Sequence, residues 1–379
     1  MTAVTRVAIA GGGVAGATAA ILLAEQGVHV DLFESKDDIS ALGSGITLQG
    51  NALRVFDRLG IWEKVKESGY AFNVLGIRAP GPEAPIVAQI PDAPMGGPDY
   101  PATVGMYRPD LAKFLIERAQ EVGANVHFGT TVASFTSDDE GVDVTLGDGS
   151  TARYDLLVGA DGLNSGIRAL MGIETKPERT GMGIWRAFVK KPADVTNTDL
   201  IYGGPVYIAG YCPTSEDMMY AYVVEDYTDR FGLSPQEGVE VMRGIAAQYG
   251  GPWKEIVQEL TPENASHVNY TAFTAHLVEE PWNRGRVVII GDAAHSCPPT
   301  VAQGAAQGAE DGLVLADVLT KHDTVSQAMW DEFHERRIPR ATKIVEASVQ
   351  LGKWQLEHNR DADVPGLMRS VAETVIPAP

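Results

Sequence analysis

Cysteine is almost absent from this chain of 379 residues, which contains only Cys212 and Cys297. Two cysteines cannot form a disulfide framework, and so low a content is ordinary in the reducing cytoplasm. The histidines and cysteines do not stand at the spacing typical of a metal site. We therefore expect a cytoplasmic protein that uses neither disulfide bonds nor a metal ion.

Positive charge is also scarce. Lys and Arg together number 30, against 50 Asp and Glu, which gives a formal net charge of −20. This excess of negative charge disfavours nucleic acids and anionic membranes as partners. Low-complexity segments and internal repeats are missing as well. The length predicts two interlocked domains around a large buried core.

One uncharged run, from Val7 to Ala24, has the length of a membrane helix or of the apolar part of a signal peptide. Both alternatives meet the same objection, because Gly11 to Gly13 would break an apolar helix. No convincing cleavage site follows the run. The residues around it favour a different interpretation, a dinucleotide-binding turn.

The beginning of the chain predicts the order strand, glycine turn, helix, strand and carboxylate, in the segments Val7–Ala10, Gly11–Gly16, Thr18–Gln26, Val28–Phe33 and Glu34. In such a Rossmann unit Gly11 permits the turn, Gly13 lets backbone N–H groups approach a pyrophosphate, and Gly16 lets the helix pack on the strands. Glu34 follows the glycines at close to the spacing expected of a carboxylate that holds a ribose hydroxyl.

Two later buried strands deliver polar residues at their carboxyl ends, where sheets of this class bind ligands. Residues 154–159 lead into Asp161 and Gly162, and residues 286–290 lead into Gly291–His295. Between them, from about 176 to 277, short alternating strands predict an antiparallel sheet that forms a separate layer.

Smaller features suggest close approaches to a ligand. Gly43 and Gly45 would let the backbone approach a flat or bulky group, with a plain loop as the alternative. Arg108 precedes a predicted helix from Leu111 to Val122 and is either a phosphate contact or a surface arginine. A later predicted helix carries Gly or Ala along one face, which indicates very close packing, at positions 304, 305, 308, 309 and 312.

Three motifs follow one another in the chain: Gly11–Gly16 with Glu34; Asp155–Gly162 with Ser165 and Arg168; and Gly291–His295 followed by Pro298, Pro299, Gln303 and Gly304. In this order they resemble the class A FAD-dependent aromatic hydroxylases of the p-hydroxybenzoate hydroxylase type. The stretch Ala302–Gln307 is similar to the branch that contains salicylate, 3-hydroxybenzoate and 6-hydroxynicotinate hydroxylases.

The resemblance implies an α/β fold: a Rossmann-type, GR2-like FAD-binding domain with an inserted antiparallel-sheet substrate domain and C-terminal helices. The expected FAD-binding segments are residues 1–73, 103–175 and 279–325. The expected substrate segments are 74–102 and 176–278, and the C-terminal helical segment is 326–379.

The resemblance also implies FAD as the cofactor. NADH or NADPH would act as a transient reductant, because only one Rossmann unit is present. The cofactor-binding positions implied are Gly11, Gly13, Val14, Ala15, Gly16, Glu34, Ser35, Gly45, Arg108, Val132, Asp161, Asp292, Pro299, Gly304 and Ala305.

In the implied reaction NAD(P)H reduces FAD, O₂ forms a flavin C4a-hydroperoxide, and its distal oxygen is transferred to a small, electron-rich aromatic or heteroaromatic ring. The candidate catalytic residues are Arg186, Tyr211, Cys212, Tyr220 and Pro299, with Tyr222 and His267 as further lining candidates. Thr47 stands where pyridine hydroxylases of this branch place a histidine, and Cys212 where several relatives place a tyrosine, so the usual base is in doubt.

Alternatives remain open at this point. A flavoprotein epoxidase, a ring-opening monooxygenase acting on a non-benzenoid substrate, and a non-hydroxylating flavin-binding redox module would share the nucleotide-binding motifs. We expect a monomer or a homodimer.

Overall fold

The computed structural model describes residues 2–39 and 45–379, so Gly43 of the predicted glycine pair lies outside the described residues. The strands are β1 Arg6–Ala10, β2 His29–Phe33, β3 Ile46–Gln49, β4 Tyr70–Phe72, β5 Val74–Arg78, β6 Ile86–Pro91, β7 Thr103–Met106, β8 Asn125–His127, β9 Val132–Ser137, β10 Val142–Leu146, β11 Thr151–Tyr154, β12 Leu156–Gly159, β13 Glu178–Lys190, β14 Thr198–Tyr202, β15 Ile208–Pro213, β16 Met218–Asp226, β17 Val268–Leu277, β18 Asn283–Arg284, β19 Val287–Ile289 and β20 His295–Ser296. The helices are α1 Val14–Glu25, α2 Gly50–Arg58, α3 Trp62–Ser68, α4 Arg108–Glu121, α5 Gly166–Leu170, α6 Pro235–Ala246, α7 Trp253–Glu259, α8 Gly304–Lys321, α9 Gln327–Leu356 and α10 Val364–Val375.

A six-stranded sheet in the order β18-β19-β12-β1-β2-β8 forms the nucleotide-binding layer. Its strands β19, β12, β1, β2 and β8 run parallel. The strands β19, β12 and β1 are almost entirely buried and apolar, because both sheet faces are covered there. Helix α1 packs between α4 and α8. The hairpin strands β9 and β10, with β11, add Val142 and Val144 to the same core.

The glycine turn after β1 is set by close backbone approaches. Gly11 has φ +106°, and a Cβ there would lie 2.2 Å from the carbonyl oxygen of Ala160. A Cβ at Gly16 would lie 2.0 Å from the carbonyl oxygen of Gly11. Any side chain at either position would push α1 away from the sheet, so the predicted strand, turn and helix are confirmed together with the reason for their glycines.

The second layer is an eight-stranded sheet in the order β20-β17-β13-β16-β15-β14-β5-β6. Side chains alternate along β13, so that Trp185, Ala187 and Val189 enter a core with α6 and α7. Ile184, Arg186 and Phe188 therefore lie on the other face, which we call the inner face. Phe188 packs there against Tyr107, whose ring centroid is 4.5 Å away and which directly precedes α4.

The C-terminal helices close the nucleotide-binding layer. The 30-residue helix α9 packs on α8 and contains Pro339, and α10 packs on α9. Arg54 of α2 and Arg340 of α9 both donate to backbone carbonyl oxygens at the end of α10, including that of Val375. The segment after α9 is thus fixed to the first part of the chain through backbone contacts.

Several elements escaped sequence-based prediction. The small sheet β3-β7-β4 and the helix α3 are short or weakly patterned. The uncharged run from Val7 to Ala24 divides into the end of β1, the glycine turn and most of α1, as the dinucleotide interpretation predicts. Among the helices of residues 2–39 and 45–379, none is both long and apolar enough to cross a membrane.

Candidate active site

The glycine turn and Glu34 form an open cradle at the N-terminus of α1. A methyl group at Gly13 would meet no atom within 4 Å, so the space beside its Cα is open. The Glu34 carboxylate accepts hydrogen bonds from the backbone N–H groups of Gly12 at 2.9 Å and Lys36 at 3.0 Å. Helix N-termini favour anions, so this arrangement fits a pyrophosphate beside a ribose-binding carboxylate.

Asp292 lies at the opposite end of the site, in a short 3-10 turn over Gly291–Ala293 that follows β19. Its carboxylate is accessible although protein surrounds it, as expected for a group that lines a cavity. Burial raises the pKa of Asp292, and the positive charge of Arg108 opposes that rise. Arg108 is itself exposed at the start of α4, and its charge is close enough to influence Asp292. The two predicted cofactor-binding residues therefore belong to the same site.

The N-terminus of α8 completes the cofactor half of the site. Gly304 is exposed, and a Cβ there would meet no atom within 4 Å. The preceding Gln303 is fully buried and exchanges two amide hydrogen bonds of 3.0 Å with Asn51 of α2. The first turn of this long helix therefore presents backbone N–H groups to the cavity, with Pro299 exposed nearby in sequence.

These features fit a long dinucleotide such as FAD. They are the open space beside Gly13 and Gly304, the accessible carboxylate of Asp292 and the hydrogen-bonded carboxylate of Glu34. Gly13 and Glu34 would hold the pyrophosphate and ribose, and Asp292 and Gly304 the ribityl chain and ring. Val14, Ala15, Ser35, Gly45, Val132 and Ala305 keep their predicted cofactor assignments as predictions.

Arg186 stands on the inner face, opposite Tyr222 of β16 and Asn269 of β17. Its guanidinium donates a 2.9 Å hydrogen bond to the Thr271 hydroxyl. Within the part of the chain that the structure describes, no carboxylate forms an ion pair with it. Burial lowers the pKa of Arg186, an effect that Tyr220 opposes. The cavity therefore contains an arginine without a protein anion.

Tyr220 lies beside Arg186 and is fixed by β3. The hydroxyls of Thr47 and Tyr220 are 2.5 Å apart, and the Tyr220 ring leaves no room for a Cβ at Gly45. Thr47 also donates to the Cys212 sulfur at 3.6 Å. Burial raises the pKa of Tyr220 and raises the pKa of the Cys212 thiol to about 11, so both groups are neutral near pH 7 and Cys212 is a wall of the cavity.

Tyr211 does not line this cavity, and the prediction that it does is wrong. Residues alternate between faces along β15, so Tyr211 points into the core with α6 and α7 while Cys212 faces inward. The Tyr211 hydroxyl donates to Asp199 at 2.5 Å, and Arg78 donates to the same carboxylate at 2.6 Å. This buried triad holds the outer part of the sheet together.

Asp161 and His267 are two further predicted site residues whose surroundings do not point to a simple contact with a ligand. The Asp161 carboxylate accepts hydrogen bonds from the Ser165 hydroxyl at 2.5 Å and from the backbone N–H of Ile167 at 3.0 Å. It therefore fastens the start of α5. His267 is exposed at the end of a 3-10 turn before β17. Across residues 2–39 and 45–379, no cluster of acidic, histidine and cysteine side chains could hold a metal ion.

Several residues of the site are positioned by contacts with residues far away in the sequence. No local sequence pattern indicates them. Thr271 and Asn269 reach Arg186 only through the register of β13 with β17. Thr47 meets Tyr220 across a sequence separation of 173 residues. Asn51 is fully buried in an amphipathic helix. From the sequence it is an ordinary polar residue, and only its hydrogen bonds with Gln303 indicate its role.

Comparison with known proteins agrees with this geometry. A sequence model of the family described as FAD binding domain matches residues 4–348. The chain is 30% identical over 359 residues to a putative FAD-dependent monooxygenase, YetM, of Bacillus subtilis (strain 168), covering 94% of this chain and 95% of the relative. It is 28% identical over 361 residues to a 3-hydroxybenzoate 6-hydroxylase of Polaromonas naphthalenivorans (strain CJ2), covering 92% and 87%. Among solved structures, Klebsiella pneumoniae HpxO complexed with FAD and uric acid shares the fold, with a TM-score of 0.85 and 20% identity over 99% of this chain and 97% of that chain.

Proposed function

This chain belongs to the family described as FAD binding domain and is an FAD-dependent monooxygenase, and from that premise we propose that it hydroxylates an anionic aromatic or heteroaromatic ring at the expense of NADH or NADPH. The predicted family and cofactor are confirmed by the family match. The inner face of the eight-stranded sheet supports the proposal that the ring is anionic.

Arg186 is the observation that carries the proposal. Its guanidinium is partly buried, makes a single hydrogen bond to a neutral hydroxyl and has no ion-pair partner among the described residues. An anion that reached this partly desolvated cation would stabilise it. A carboxylate or phenolate on the substrate ring would supply that anion, and the relative named 3-hydroxybenzoate 6-hydroxylase acts on a ring that carries a carboxylate and a phenolic hydroxyl.

Each part of the site has a task in the proposed reaction, NAD(P)H + H⁺ + O₂ + ring–H → NAD(P)⁺ + H₂O + ring–OH. Bound FAD supplies the redox chemistry that connects the reductant to O₂. The glycine turn, Glu34, Asp292 and the α8 N-terminus bind and orient the cofactor. Arg186 anchors the ring, and Pro299 lies on the segment that leads into α8.

Tyr220 and Thr47 provide the polar contact for a hydroxyl on the ring. Because Thr47 donates to Cys212 and Tyr220 donates to Thr47, the Tyr220 oxygen keeps lone pairs that can accept a hydrogen bond from the substrate. Neither group is charged near pH 7, since burial raises the pKa of Tyr220. The pair therefore positions the ring hydroxyl and relays its proton, rather than acting as a charged base.

The test is Arg186→Gln, examined with two rings that differ only in a carboxylate. The KM for the carboxylated ring is expected to rise roughly tenfold to a hundredfold, the cost of one charge-assisted hydrogen bond. The neutral ring should show little change. FAD affinity should stay that of the wild type.

Arg179→Gln is the matched control, because Arg179 lies on the same strand but is exposed and stacks over Tyr227. It should leave both KM values unchanged. Loss of FAD in Arg186→Gln, with unchanged substrate discrimination, would reassign this arginine to the cofactor and remove the basis for an anionic substrate.

A further inference from the structure

We propose that Asp311 of α8, held by Arg337 of α9, is a positioning residue that sets the Gly291–Asp292 turn for the flavin cofactor. This inference rests on the role proposed above for Asp292. It adds two buried residues to the cofactor site, Asp311 on α8 and Arg337 on α9, neither of which faces the cavity.

Asp311 fixes the turn from behind. One of its carboxylate oxygens accepts a 2.8 Å hydrogen bond from the backbone N–H of Gly291 and lies 2.7 Å from Nε2 of His295. Its other oxygen accepts a 2.6 Å hydrogen bond from Nε of Arg337. The side chains of Asp311 and Arg337 are fully buried. The geometry at the start of the turn therefore depends on this carboxylate.

The other side of the turn is fixed independently. Arg168 donates a 2.8 Å hydrogen bond to the carbonyl oxygen of Ala293. Asp292 thus lies between two anchored peptide groups, with its N-terminal neighbour bound to Asp311 and its C-terminal neighbour bound to Arg168. Gly291 also has φ +60°, and a Cβ there would lie 2.8 Å from Cβ of Ala15 in α1. The turn has little freedom to compensate if one anchor is lost.

Arg337 belongs to a charge-balanced buried cluster. Two carboxylates, Glu310 and Asp311, face two guanidinium groups, Arg337 and Arg340, with distances of 2.6–2.9 Å. Glu310 also accepts a 3.0 Å hydrogen bond from Asn51, the partner of the residue before α8. Removing one member of such a cluster leaves an unpaired buried charge, which destabilises the fold. Stability alone therefore does not distinguish a positioning role.

The cluster contains its own control. Arg340 donates to Glu310 and to carbonyl oxygens near the end of α10, including that of Val375, but does not reach the turn. Asp311 and Arg337 lie on the path to Gly291, and Arg340 does not. Variants at all three positions should lower the melting temperature of the apoprotein, whereas only those on the path should weaken FAD binding.

The experiment measures the FAD dissociation constant of apoprotein variants by flavin fluorescence, at a temperature where circular dichroism shows each of them folded. For Asp311→Asn we expect a rise of roughly tenfold to a hundredfold, because the amide presents a donor either to the Gly291 N–H or to Nε of Arg337. Arg337→Gln should give a smaller rise, and Arg340→Gln should remain within about threefold of the wild type.

If Asp311→Asn does not fold, Arg337→Lys and Arg340→Lys make the same comparison while keeping both charges. Equal effects on FAD affinity at the two positions, or a wild-type dissociation constant in folded Asp311→Asn, would overturn the inference. The titration contains no substrate. A wild-type protein that binds FAD but hydroxylates no ring would contradict the proposed function and leave this inference standing.

Discussion

Asp292 is the side chain to which we assign the largest part in the proposed cofactor binding. It is the accessible carboxylate at the end of β19, and Arg108 acts on it across the cavity. Replacement by Ala removes that carboxylate without touching a packed neighbour. We expect Asp292→Ala to lower FAD affinity by roughly tenfold or more, the loss of a hydrogen bond to a charged group.

Retained flavin after gel filtration gives the measurement for Asp292→Ala, with melting of the apoprotein as the control for folding. The apoprotein should melt at or above the wild-type temperature, because burial raises the pKa of Asp292 and so disfavours its charged form. Wild-type flavin retention in this variant would show that Asp292 does not contact the cofactor.

His276 gives the molecule a pH dependence that is separate from catalysis. It is buried, accepts a hydrogen bond from Arg168 at 3.1 Å and lies 2.7 Å from the Ser296 hydroxyl. Burial and the Arg168 charge lower its pKa from 6.5 to about 4. Between these values the unfolded chain takes up a proton and the folded chain does not, so stability falls as the pH falls.

The loss over that window amounts to about 3 kcal/mol of unfolding free energy. His276→Gln keeps an acceptor for Arg168 and a donor for Ser296 but cannot be protonated. Urea unfolding should therefore show a flatter pH dependence for the variant between pH 6.5 and pH 4. Parallel curves for the two proteins would mean that the histidine is already charged in the folded state.

At the level of helices and strands, two glycines have different roles. One is needed for the packing of the fold and the other is proposed to leave space for the cofactor. A methyl group at Gly16 would lie 2.0 Å from the Gly11 oxygen, whereas one at Gly304 would meet no protein atom within 4 Å. Gly16→Ala should lower the stability of the apoprotein by about 3 kcal/mol, the upper end of overpacking costs. Gly304→Ala should leave apoprotein stability intact or raise it, since Ala favours helix.

The same pair should behave differently toward FAD. The methyl group of Gly304→Ala enters the space assigned to the flavin ring, so its FAD dissociation constant should rise although the protein is fully folded. Urea unfolding and flavin titration on the two apoproteins measure both effects. Normal FAD affinity in Gly304→Ala would place the ring away from the start of α8.

Elements with a local signal were predictable, and those that depend on distant partners were not. The β1–turn–α1–β2 unit follows from a glycine spacing and two apolar runs that are close together in the chain. The strands β3, β4 and β7 are very short, and β7 pairs with both of the others across a distance in the chain. Arg337 reads as part of a charged helix, and its full burial depends on two carboxylates of α8.

The prediction for Tyr211 failed because the alternation of side chains along a strand was not applied to it. Adjacent residues of a strand point to opposite faces, so Tyr211 and Cys212 could not both line one cavity. The sequence alone did not decide between them. The register of β15 with β16 decides it, because Cys212 stands opposite Tyr220.

At the scale of the whole molecule, the site lies between two sheets that belong to different layers. Thr47 from the small sheet, Tyr220 and Arg186 from the eight-stranded sheet, and Asp292 after the last parallel strand of the six-stranded sheet converge on it. A ligand bound there should stabilise both layers together. At a hundredfold excess over its dissociation constant, FAD should add about 2.7 kcal/mol.

Calorimetry of the apoprotein and of the FAD-loaded protein tests this coupling. A single transition that moves upward with FAD concentration is the expected result, with Asp292→Ala as the variant that should show a smaller shift. Two transitions, of which FAD moves only one, would mean that the eight-stranded sheet does not share the cofactor site.

We propose that FAD bound in this cavity couples NAD(P)H oxidation to hydroxylation of an anionic ring. Oxidation of NADH and NADPH by the FAD-loaded protein should be followed across phenols, hydroxybenzoates, hydroxypyridines and purines, with H₂O₂ measured in parallel. The account predicts that anionic rings stimulate oxidation, with little peroxide and a hydroxylated product. Stimulation by no ring, or stoichiometric peroxide with every ring, would contradict it.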